Sequence, residues 1–196
     1  MNYDEVTAMA LAYSDRSSDQ ELIANMGNFV IMAESRINRG LRVLEMTIRT
    51  TIETQADQIY YGLPSGFAGM RDIQIGNETG VYLSPEQMND LTDTTTGLFY
   101  TIIANQLQIY PAQSDSVMEL VYYQRLPNLQ ANETNWLSDR HPDCYVFAIM
   151  VEIESFVKSQ DGATLWKSRL ESTMAEITNE DGIDRWSGTA MTIKAT

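Results

Sequence analysis

Cysteine, histidine and positive charge are all scarce in this chain. Of its 196 residues one is cysteine, Cys144, and one is histidine, His141. A single cysteine excludes an intrachain disulfide framework and suits a reducing compartment. His141 and Cys144 leave one conceivable nucleophilic pair, but no residue is marked as its orienting third group. The plainer reading puts His141 at a helix start and packs Cys144 as a small hydrophobe. A metal site would need carboxylates such as Asp143 beside them, and the usual paired ligand spacings are absent. No metal or cofactor is therefore expected. Gly62, Gly66 and Gly69 lie close together without the spacing of a phosphate-binding loop, and turns between strands explain them better. The longest apolar run, Tyr145 to Val151, is far too short to span a bilayer, so no membrane partner is expected. Met1 to Val6 is acidic and lacks the basic and apolar regions of a signal peptide. The sequons at Asn77 and Asn132 carry little weight without a secretory route.

Ten Arg and three Lys stand against 27 Asp and Glu, for a formal net charge of −14. A surface this acidic argues against gripping nucleic acid through its phosphates. It fits a protein that must stay soluble or repel a polyanion. Hydrophobic residues at 43% with charged residues at 20% describe an ordinary globular chain. Strand aromatics such as Tyr60, Tyr61, Phe99, Tyr100, Tyr122 and Tyr123 would suit a stacking platform only with basic neighbours. Arg49 and Arg125 are too few, so these residues read as sheet core. Glu176 and Glu180 read as a solvated helix face. Asn179 to Asp184 lacks the spaced ligands of a calcium loop and reads as a turn.

Helical and strand periods divide the chain. A short helix is predicted over Tyr3 to Tyr13. Ser18 and Glu21 make a capping box, followed by the apolar stripe Leu22, Met26, Phe29, Val30, Ala33 and Ile37. Gly40 is placed to end that helix in a left-handed conformation. From Thr47 the period becomes two. Candidate strands run over 47–54, 58–61, 70–75, 81–83, 99–103 and 106–110, with Met118, Leu120 and Tyr122 alternating likewise. Ala104-Asn105 reads as a tight hairpin turn, since Asn tolerates positive φ. Ser84, Pro85 and Gln87 start a short helix. Tyr145 to Val151 is apolar on every face and so calls for burial on every side. Asp161-Gly162 reads as a break before a second stripe, Trp166, Leu170, Thr173 and Ile177, giving a helical hairpin. The fold class is thus α+β: an antiparallel helical bundle, residues 1–46 and 135–181, with an inserted sandwich-like β-rich domain, 47–134. Residues 182–196 read as an extended tail in which Met191, Ile193 and Ala195 alternate, suited to adding as a strand elsewhere.

Within this acidic chain, Arg36, Arg39 and Arg42 fall inside seven positions, in the run Ala33-Glu34-Ser35-Arg36-Ile37-Asn38-Arg39-Gly40-Leu41-Arg42. Cations near a helix C-terminus offset its exposed carbonyls. Arg39 alone suffices for that, and Arg42 lies past the helix end, where the effect weakens.

The same run resembles the end of the long N-terminal helix in head-to-tail adaptor (connector) proteins of tailed bacteriophages. The resemblance continues in order through Tyr61 to Phe67, Ser84-Pro85-Glu86-Gln87, Tyr100 to Ile103 with Gln106 to Pro111, Asn135-Trp136-Leu137, Pro142-Asp143 with Tyr145, and Trp166. It implies a structural virion protein without chemistry or cofactor, assembled in the host cytoplasm and sited at the head-tail interface. Its partners would be further copies in a commonly dodecameric ring, the portal protein, and tail or nozzle proteins. Double-stranded DNA would pass through without specific binding. Arg36, Arg39, Arg42, Trp186, Met191 and Ile193 are then the candidate protein-interface residues. Two competing readings are a virion-associated, carboxylate-based cell-wall hydrolase and a nucleic-acid-binding module.

Overall fold

The computed structural model describes residues 1–92 and 95–186. The chain divides into two compact units, one made of Met1–Glu45 with the chain from Leu126 onward, the other of Met46–Arg125. The fold class is α+β.

In the helical unit, α1 (Tyr3–Tyr13) starts from an Asn2–Glu5 capping box. Helix α2 (Gln20–Gly40) starts one residue later than expected: Asp19, not Ser18, caps it, its carboxylate accepting from the Glu21 and Leu22 N–H groups. An aspartate adds charge to the cap, which suits the positive end of a helix. All six stripe residues of α2 are buried. Gly40 remains helical, and the chain leaves through an extended Leu41 (φ −100°, ψ 139°). Glycine there makes room for a neighbour. The Met174 side chain occupies the space where a Cβ would sit.

A single 3-10 turn, Leu44–Met46, follows α2. Later in the chain, α4 (Trp136–Arg140) is capped by Asn135, and α5 (Pro142–Phe156) follows directly. Six of the seven residues from Tyr145 to Val151 are buried, Phe147 being the half-buried one. Helices α1 and α2 pack on α5, as does α6 (Gln160–Trp186). The break between α5 and α6 lies at Lys158, whose φ is +60°. It does not lie at Asp161-Gly162, which belong to the first turn of α6. Leu170, Thr173 and Ile177 are buried as the stripe requires. The turn expected over Asn179 to Asp184 is absent, and helix continues where the extended tail was expected to begin at 182. Asp181 gives the reason. Its carboxylate accepts the Leu44 N–H at 2.6 Å, tying the last turns of α6 to the bundle.

Among the described residues the β unit holds eight strands: β1 (Thr47–Glu53), β2 (Tyr60–Gly62), β3 (Phe67–Ile75), β4 (Glu78–Thr79), β5 (Val81–Tyr82), β6 (Phe99–Ile103), β7 (Gln106–Tyr110) and β8 (Val117–Gln124). They form two four-stranded sheets, ordered β1-β8-β3-β4 and β2-β7-β6-β5. Alternation sends Ile73, Met118, Leu120 and Tyr122 of the first sheet and Tyr61, Leu107 and Ile109 of the second into one core. Strands β5 and β6 pair in parallel. The crossover that parallel pairing demands contains α3 (Pro85–Asn89), held by the Ser84–Gln87 capping box. In the β6–β7 hairpin the positive φ falls on Ala104, at +53°, and not on Asn105.

Candidate interaction surface

Residues 33–42 cover the last two turns of α2 and the step beyond it. Ala33, Ile37 and Leu41 face the core at helical spacing. Between them sits Glu34, a buried carboxylate. One of its oxygens accepts the Leu129 N–H at 2.7 Å and the Tyr145 hydroxyl at 3.1 Å. Burial pushes the Glu34 carboxyl above the ordinary carboxylate range, against the pull of these two hydrogen bonds. The Tyr145 hydroxyl accepts in turn from the Asn135 amide at 2.7 Å, and the same amide nitrogen donates to the Pro127 carbonyl at 2.8 Å. One turn after Glu34, Asn38 accepts the Leu126 N–H at 2.8 Å. Glu34 and Asn38 together therefore receive the chain as it returns to the helical unit at 126–129.

The three arginines separate by role. Arg36 turns inward, its Nε and Nη2 both donating to one Glu152 oxygen, at 3.0 and 2.7 Å. Glu152 is buried on α5, so this pair is part of the bundle. Arg42 folds back and donates from Nη1 to the carbonyls of Asn38 and Leu41, at 2.5 and 2.6 Å. It thus caps the C-terminus of α2 by direct hydrogen bonds, contrary to the expectation that a residue beyond Gly40 lies too far out. Arg39 is exposed like Arg42, but unlike the other two it makes no side-chain hydrogen bond or ion pair among the described residues. It lines a groove of about 290 Å³ between α2 and α6, together with Arg36 and Gly40 of α2 and Lys167, Leu170, Glu171 and Met174 of α6. Lys167 makes a long contact to Glu171, 3.8 Å, within its own helix.

Of the other candidates, Met191 and Ile193 lie outside the described residues, as does the side chain of Trp186. Cys144 is fully buried, and burial pushes its thiol up to about 12. A thiol so placed supplies no thiolate nucleophile near neutral pH. Its hydrogen bond with His141 is a backbone one. Among the described residues no group of three or more His, Cys, Asp or Glu is placed to hold a metal ion. No described helix is long and apolar enough to cross a membrane. A second cavity, about 310 Å³, is lined by Glu45, Arg140, His141, Glu180 and Asp181 among others. Arg140 there pairs with Glu45 at 2.6 Å.

The sequence reading passed over Glu34, Asn38 and Glu152. Glu152 left one usable signal, an acid set directly after an apolar helical run, which requires a partner when buried. The partner, Arg36, is 116 positions away and no local pattern points to it.

A family model described as SU10 adaptor protein matches residues 1–193. A comparison with curated proteins finds no match.

Proposed function

Because the chain belongs to the SU10 adaptor protein family, a family of structural phage proteins, we propose that it is a head-to-tail adaptor: a ring of identical copies beneath the portal. The ring extends the channel through which double-stranded DNA leaves the head, and it offers the tail or nozzle a docking surface. The observation that carries this reading is the family match over almost the whole chain, in both units.

The charge balance supports it. A channel wall that neutralised phosphates would release counterions and hold the DNA. A chain with a net charge of −14 lets a polyanion slide past. The arrangement of the arginines supports it as well, since Arg36 and Arg42 are spent within the subunit and Arg39 is left exposed, without a contact among the described residues.

Electron microscopy of the purified protein mixed with its portal tests the proposal. Rings of twelvefold symmetry stacked on the portal are the expected result. A chain that stays monomeric and never joins the portal sinks it. Electrophoresis with duplex DNA at moderate salt should show no retained complex.

A further inference from the structure

Ile183 is the most exposed large hydrophobic residue described, at 70% of its free surface. It lies near the C-terminal end of α6, in one stripe with Glu176 and Glu180 at helical spacing, and both glutamates are exposed. The stripe is an apolar knob behind two acids. The Arg39 groove has the opposite balance. Leu170, Met174 and the bare backbone of Gly40 line it, with three cations, Arg36, Arg39 and Lys167, against one acid, Glu171. Each surface is what the other lacks: an apolar lining for the isoleucine, cations for the glutamates.

The two cannot meet within one subunit. Leu170 and Ile183 belong to the same helix, thirteen residues apart, which is about 20 Å along the axis. We infer that the Ile183–Glu180 stripe of one copy seats in the Arg39–Lys167 groove of the next. The contact is heterologous: knob and groove are different patches, so every subunit keeps one of each to offer, and repetition closes a ring when the rotation allows. This inference rests on the ring reading and supplies its subunit contact. It also gives Gly40 a second use, because a side chain there would push Met174 and reshape the groove.

Two variants test it. Lys167→Cys with Glu180→Cys places two thiols thirteen residues apart on α6, about 20 Å along the axis, whereas a disulfide needs Cα atoms within about 7 Å. Any disulfide between them therefore joins two copies. Cys144 is buried and takes no part. Oxidation of rings assembled on the portal should give a ladder of covalent oligomers on a denaturing gel, with neither single variant passing the dimer. Ile183→Asp changes an exposed position, so melting should match the parent protein while the ring is lost. Intact rings that yield no ladder overturn the contact and leave the ring reading standing, as does an Ile183→Asp chain that assembles normally. A parent chain that forms no ring with its portal removes both.

Discussion

Replacing Glu34 by alanine and by glutamine separates its hydrogen bonds from its charge. Alanine removes the oxygen that accepts from the Leu129 N–H and the Tyr145 hydroxyl. Each buried donor left without a partner costs about 1–3 kcal/mol. Removing a buried carboxylate returns part of that, so Glu34→Ala should destabilise the helical unit by about 2–3 kcal/mol. Glutamine keeps an acceptor oxygen in place and drops the charge, so Glu34→Gln should lie within about 1 kcal/mol of the parent at neutral pH. Urea unfolding followed by tryptophan fluorescence suits the test. All three tryptophans, at 136, 166 and 186, belong to the helical unit, and the β unit has none. The pH dependence has a definite sign. The folded-state pKa of Glu34 is raised, so its contribution is fully present below the unfolded value and is lost as pH rises through the folded one. The parent should therefore gain stability relative to Glu34→Gln on acidification, and the difference should level off above the folded pKa. An alanine variant within about 0.5 kcal/mol of the parent, the scatter of ordinary surface changes, would refute the network's role. So would a glutamine variant as unstable as the alanine one.

The three arginines should part company in melting experiments. Arg36→Ala leaves buried Glu152 unpaired and should cost about 1–3 kcal/mol, discounted because the arginine is partly exposed. Adding Glu152→Leu should recover part of that loss, and strict additivity would show that the pair is not coupled. Arg42→Ala should cost about 0.5–1 kcal/mol through the lost α2 cap, whereas Arg39→Ala should stay within about 0.5 kcal/mol. Cys144, with its thiol pushed up to about 12, should react with a disulfide reagent at pH 8 roughly a thousandfold more slowly than after unfolding in urea. Fast labelling of the folded protein would contradict its burial.

Legibility followed distance along the chain. Ser84, Pro85 and Gln87 specify their helix within four positions, and the structure matches the reading. The ends of β7 were legible because its strict alternation stops there, and those of β6 because its aromatic and β-branched run ends at the Ala104-Asn105 turn. Ser18 misled because Asp19, one residue on, caps α2 with a charge that complements the helix dipole. Lys158 carries a left-handed backbone that lysine gives no hint of, while the more obvious Gly162 is helical and crowded by Glu154 and Ser159. Gly182 sits inside α6 because Asp181 is tied to Leu44, 137 positions earlier. The candidate surface was legible in part. The arginine cluster stood out by composition, but its division among a core pair, a cap and one outward residue depends on Glu152 and on folding back of the chain, which no spacing encodes.

The return of the chain at 126–129 has a consequence for kinship. Glu34, Arg36, Asn38, Gly40 and Arg42 each serve a contact inside their own subunit, so the ten-residue run is an assembly instruction for the bundle. Chains that share it share a way of threading the polypeptide back beside α2. Arg39 and Ile183 stand apart from it as exposed positions. A change elsewhere in the run is felt as bundle stability, whereas a change at Arg39 or Ile183 leaves the bundle's contacts in place.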